Sequence, residues 1–174
     1  MPFIAGIAAL LIGFAGFSFW QLRRAQRDLT ASQELAARAA DKDKVTGLPN
    51  YAKTLELLDL TLSERTADEV TTFALIELDG MADVNADLGV LGGDELMVAV
   101  AQRLREALPA DAVCGRIGSD EFAVTLHGGP DLDAEAVIRA ALESIARPHW
   151  IDTVCGVSAH AGFAQTPRHA NTRG

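Results

Sequence analysis

Four carboxylates carry the strongest chemical suggestion in this sequence. Glu77 and Asp79 close a short β-favouring run, TFALIEL at 72–78. Asp120 and Glu121 sit in or beside a Gly118-Ser119-Asp120 turn that separates two short apolar runs, 112–117 and 121–126. If the strands are neighbours, these carboxylates converge. Converging carboxylates repel and call for hard cations, and Mg²⁺ held by a few carboxylates together with substrate phosphates meets that demand. Two such ions could activate a hydroxyl and neutralise a leaving pyrophosphate. On composition alone the competing reading is that these are solvated turn carboxylates.

The elements that would position them read as follows. Asp43 to Asn50 is a turn-rich junction in which Gly47 and Pro49 break any helix. Helical spacing of Leu55, Leu58 and Leu62 predicts a helix over 51–65. After strand 72–78, a short helix is expected over 84–89, an interruption at Gly92-Gly93, and an amphipathic helix over 94–108 that Pro109 stops. Strands 112–117 and 121–126 form a hairpin. A second amphipathic helix covers 133–147, and a last strand of small and β-branched residues covers 153–164. The order is α, β, α, α, β, β, α, β, an α+β chain. From strand 72–78 onward it resembles a palm-like βαββαβ sheet with helices packed on one face.

The chain has 174 residues, room for one domain and a short extension. Its net charge of -9 argues against a general nucleic-acid surface. Residues 1–44 hold six Lys/Arg against four Asp/Glu (+2), and residues 45–174 hold nine against twenty (-11). So acidic a domain needs divalent cations between itself and a phosphorylated ligand. Cys114 and Cys155, without metal-ligand spacing, read as reduced thiols. Residues 3–20 are uncharged, close to the ~20 residues that span a bilayer, and Trp20 ends the run at an interface position. Arg23, Arg24 and Arg27 follow, which places the rest of the chain in the cytoplasm. A signal peptide fits less well, because the positive charges come after the apolar run. Residues 1–22 are thus expected to be a transmembrane helix, 23–44 a helical signalling linker and 45–174 the folded domain. Leu22, Leu29 and Ala36 repeat every seven residues, which suits either a weak two-chain coiled coil or a solvated stalk.

Three motifs in order carry a resemblance. Residues 116–122, RIGSDEF, resemble the R-x-GGDEF signature of the diguanylate cyclase family. Asp43 to Asn50, DKVTGLPN, resembles that family's opening D-x-LT-x-LxN motif. Residues 76–94, IELDGMADVNADLGVLGGD, align without gaps to its iDiDxFKxiNDxxGHxxGD block. The match covers 43–164. It implies a nucleotide-cyclase-like GGDEF fold on a single-pass protein of the inner (cytoplasmic) membrane. It also implies the condensation of two GTP to cyclic di-GMP by a homodimer, each subunit holding one GTP with Mg²⁺ or Mn²⁺. Position by position, Glu77, the Leu78 carbonyl and Asp120 stand at the metal-binding positions. The resemblance assigns catalysis to Asp120 and Glu121, with Asp120 helping to deprotonate the attacking hydroxyl. Asn85 and Asp94 stand where the family reads guanine. Gly118 and Ser119 stand where small residues admit a phosphate, and Arg116 is the arginine preceding the signature.

Departures accompany these matches. Glu77 replaces an Asp, and Ser119 replaces a glycine. The phosphate-contacting Lys is Ala82, the preceding Phe is Met81, and Ala86 and Val90 replace an Asp and a His. The family's R-x-x-D inhibitory site falls on Pro109 and Ala112. A terminal helix with further phosphate contacts is expected to be missing, since the tail PRHANTRG reads as polar loop. Two readings follow: an active or weakly active cyclase, or a catalytically degenerate GGDEF module. The second would bind GTP or merely dimerise, and would regulate a neighbouring domain such as a downstream phosphodiesterase domain.

Overall fold

The structure is a computed structural model that describes residues 23–24, 41–66 and 68–167. The chain divides into two units, Met1–Ala40 and Asp41–Gly174. In the first, only Arg23 and Arg24 are described, both helical and exposed. The expected membrane span 3–20, the heptad positions and the tail 168–174 lie outside the described residues. Among the described residues no helix is long and apolar enough to cross a membrane.

The second unit opens with a knotted turn. The Asp43 carboxylate accepts from the Thr46 main-chain N–H (2.8 Å) and hydroxyl (2.7 Å), and Lys42 bridges to Pro49. Residues 41–44 form turn and bridge. Asn50 caps α1 (Tyr51–Glu64) by accepting from the Lys53 N–H at 3.0 Å. Strand β1 (Val70–Asp79) follows, then α2 (Met81–Ala107), the hairpin of β2 (Val113–Arg116) and β3 (Glu121–Gly128), and α3 (Ala134–Ile145). Asp133 caps α3 through the Ala136 N–H. A small hairpin of β4 (His149–Ile151) and β5 (Thr153–Cys155) precedes β6 (Ser158–Thr166).

The main sheet is antiparallel, ordered β2-β3-β1-β6. β1 is central, and its alternate residues Thr72, Ala74, Ile76 and Leu78 are buried. Ala74, Ile76 and Leu78 share one core with Phe122, Val124 and Leu126 of β3, Leu96, Val100 and Leu104 of α2, and Ile138, Ala141 and Ile145 of α3. Helix α1 lies over the opposite face at the β2 end. There Gly115 approaches Thr54 so closely that a Cβ would collide with the Thr54 hydroxyl. Arg103 of α2 fastens the core's far side, donating to the carbonyls of Ser144 (3.0 Å) and Pro148 (2.7 Å) where α3 runs out of its own donors. Both cysteines are free thiols, and burial pushes Cys114 up to about 12.

The α+β, βαββαβ order is present, with corrections in two places. The final run 153–164 is two strands, broken at Gly156 and Val157, and β4 was not legible in a three-residue segment. The interruption expected at Gly92-Gly93 is instead at Gly89, whose φ of 72° no ordinary side chain adopts readily. Gly92 and Gly93 continue the helix and are buried. Their lack of a side chain serves close approach: a Cβ on Gly92 would meet Leu88, and one on Gly93 would meet the Asn85 amide oxygen.

Candidate active site

Strand register gathers the sheet-end residues. Glu77 stands opposite Glu121 on β3 and opposite His160 on β6. The Leu78 main-chain N–H donates to the Asp120 carbonyl at 2.9 Å, clipping the β2–β3 turn onto the end of β1. Within that turn, Ile117 and Gly118 donate to the Glu121 carbonyl at 2.9 and 3.3 Å. A Cβ on Gly118 would fall 2.5 Å from Glu121 Oε2, so a side chain at 118 would push the Glu121 carboxylate out of the turn. Ser119 Oγ donates to Asp120 Oδ1 at 2.6 Å.

Arg116 straps this turn to the chain's opening motif. Its Nε donates to the Gly118 carbonyl (3.1 Å), its Nη2 to the Ser119 carbonyl (2.6 Å) and its Nη1 to Asp43 Oδ1 (3.2 Å). Burial alone would raise the Asp43 pKa. The two Thr46 hydrogen bonds and Arg116 outweigh it and hold the carboxyl below its ordinary value.

Asn85 is positioned by a separate route. Gly80, with φ 95°, turns the chain from Asp79 straight into α2. Asn85 and Asp94 lie on either side of the Gly89 break, and the Asn85 side chain lies on Gly93, next to Asp94. No hydrogen bond or ion pair among the described residues joins Asn85 or Asp94 to the carboxylate end of the sheet. Ala82 is exposed in the first turn of α2.

Sequence reasoning missed His160. Its Nδ1 is 3.0 Å from Asp79 Oδ2 and its Nε2 is 3.2 Å from Glu77 Oε2. The hydrogen bond and charge of Asp79, followed by those of Glu77, raise its pKa above the ordinary histidine value. The signal in the sequence was only a histidine on a strand, and the register against β1 is what places it.

No group of three or more His, Cys, Asp or Glu among the described residues forms a metal cage. The donor set is nonetheless compatible with Mg²⁺, which takes oxygen ligands, keeps several waters and relies on substrate phosphates more than on an all-protein cage. Glu77, the Leu78 carbonyl and Asp120 would hold it.

This fold and sheet end define a class. The family model described as "Diguanylate cyclase, GGDEF domain" matches residues 40–173, and the chain belongs to the GGDEF family. Among curated proteins it is similar to the bifunctional diguanylate cyclase/cyclic di-GMP phosphodiesterase MucR of Pseudomonas aeruginosa. Identity is 30% over 155 residues, covering 87% of this chain and 22% of MucR. It is also similar to the diguanylate cyclase TpbB of the same organism, 32% identical over 158 residues, covering 88% of this chain and 35% of TpbB. The structure of a TpbB delta-N mutant comprising only the GGDEF domain matches with a TM-score of 0.69 and 29% identity, covering 75% of this chain and 78% of that one. The FimX GGDEF domain of P. aeruginosa matches with a TM-score of 0.69 and 27% identity, covering 76% and 83%. The chain therefore spans about a fifth of MucR's length and about a third of TpbB's.

Proposed function

We propose that this chain is the GTP-binding GGDEF module of a cyclic di-GMP signalling protein, and that it turns GTP over slowly. The observation that carries the reading is the placement of Asn85 on Gly93, beside Asp94. A carboxylate accepts from guanine N1–H and N2–H, while an amide both donates and accepts at the same edge. Mg²⁺ or Mn²⁺ at Glu77, Leu78 and Asp120 would screen the triphosphate from an acidic domain and polarise the reacting groups. Two GTP-loaded subunits facing each other would give cyclic di-GMP and two pyrophosphates, with Asp120 and Glu121 nearest the reacting hydroxyl. Residues 1–22 would anchor the module to the inner membrane and 23–44 would connect it. Residues 45–174 would then stand in the cytoplasm.

Turnover is slow in this reading because the phosphate contacts are depleted. Ala82 offers no charge where a Lys would reach the phosphates. One lost charge-assisted contact is worth about 1.5–3 kcal/mol, roughly 10- to 150-fold. Cyclic di-GMP made by the full chain from GTP, resolved by chromatography, should rise about tenfold or more in Ala82→Lys and less in Glu77→Asp. Brisk turnover by the unaltered chain, or recovery by Glu77→Asp alone, would contradict this.

The regulatory reading is favoured by the same depletion of phosphate contacts, Ala82 standing exposed at the start of α2. In it the module binds GTP and controls a neighbour such as a phosphodiesterase domain. Similarity to the bifunctional MucR is consistent with that arrangement.

Gly93→Ala separates binding from folding. The Asn85 amide oxygen is the far end of a mobile side chain, so it can swing away from the new methyl group. Alanine also favours the helix by about 1 kcal/mol over glycine. Urea unfolding should therefore stay within about 1 kcal/mol of the unaltered chain, while calorimetric affinity for GTP falls several-fold.

A further inference from the structure

His160 sits at the edge strand β6, exposed, while its neighbours Ala159 and Ala161 make the inward contacts with the core. Packing therefore gives no reason for an imidazole at this position. The β1–β6 register sets it directly across from Glu77, and the next pair on the same face is Ser158 with Asp79. The ring nitrogens reach two different carboxylates, Glu77 Oε2 at 3.2 Å and Asp79 Oδ2 at 3.0 Å. The two nitrogens of an imidazole point away from each other, so this ring spans the carboxylates and does not converge with them on a common point. No three-residue metal cage among the described residues includes it.

We propose that His160 is a resident competitor for the divalent cation: it occupies the Glu77 carboxylate, and a metal ion must displace it to coordinate there. The proposal rests on the reading of Glu77 as a metal-holding residue. All three side chains are more than half exposed, so water and salt weaken the contact and the competition is modest. It matters most without nucleotide, when the ion has no phosphate oxygens and depends on the protein's own carboxylates. GTP brings further oxygen ligands and tips the balance towards metal. By linkage, the cation and the nucleotide would then favour each other's binding more strongly than they would without the histidine.

The test measures Mn²⁺ binding to the full chain, by the loss of the free-ion electron spin resonance signal, at one fixed pH and without nucleotide. The set is the unaltered protein, His160→Ala, Glu77→Gln and the double variant. His160→Ala should tighten Mn²⁺ binding about three- to tenfold. The same change in the Glu77→Gln background should do nothing, because the carboxylate in dispute is gone. His160→Leu, which keeps bulk but cannot hydrogen-bond, should behave like His160→Ala and guards against a packing artefact. Unchanged or weaker Mn²⁺ binding in His160→Ala overturns the proposal, and weaker binding would make His160 a ligand. If Glu77→Gln leaves Mn²⁺ affinity unaltered in both backgrounds, the metal reading of Glu77 falls with it.

Discussion

Asp94→Ala is expected to erase the preference for GTP over ATP, with a loss of GTP affinity of at least about tenfold. Guanine presents N1–H and N2–H side by side, and one carboxylate can accept both. Adenine has no N1–H and carries its amino group elsewhere, so the same carboxylate gains nothing from ATP. Asp94 is half-buried just past the Gly89 break, in a helix that resumes through two buried glycines. Truncating it should remove the proposed base contact and leave the helix intact. The ratio of GTP to ATP dissociation constants, measured by calorimetry in Mg²⁺, reads the effect. A ratio unchanged by the substitution would place guanine recognition elsewhere.

Arg116→Met should cost about 2–3 kcal/mol of stability in urea unfolding, because three acceptors lose a charged donor together. The Arg116 side chain is only 12% exposed and its Asp43 partner 23%, so solvent cannot fully replace the contacts. The substitution also frees the turn that carries Asp120, and cation-assisted GTP binding should weaken with it. A pH signature accompanies the loss. The Asp43 pKa is lowered in the folded state, so its stabilisation is complete above the ordinary carboxylate pKa and disappears as pH falls through the folded value. The unaltered chain should therefore lose stability on acidification below about 4, and Arg116→Met should lose less over that window.

Much of this molecule is written locally. Alternation along β1, the helical spacing of Leu96, Val100 and Leu104, and the Gly-Ser-Asp turn specify elements whose neighbours agree with them. The family motifs placed Glu77, Leu78 and Asp120 at one sheet end, where the register also puts them. What was illegible depends on contacts distant in sequence or on a close approach. Arg116 and Asp43 are 73 residues apart, and only the folded sheet shows that an arginine beside the signature braces the turn. His160 became part of the site through antiparallel register, which a one-residue slip would have turned to the other face. Gly92 and Gly93 looked like punctuation because a glycine pair usually ends a helix. Their role is to leave room for Leu88 and Asn85, and a sequence cannot separate that use from a break. The three-residue strands β4 and β5 are too short to show a period.

The central claim is that the base-reading pair remains competent while the phosphate contacts have been lost. Titration of the full chain with GTP and then ATP, in Mg²⁺ and followed by calorimetry, tests it most directly. The account predicts saturable GTP binding at least about tenfold tighter than ATP, whatever the rate of turnover. Equal affinity for the two nucleotides, or no binding of GTP, would contradict it.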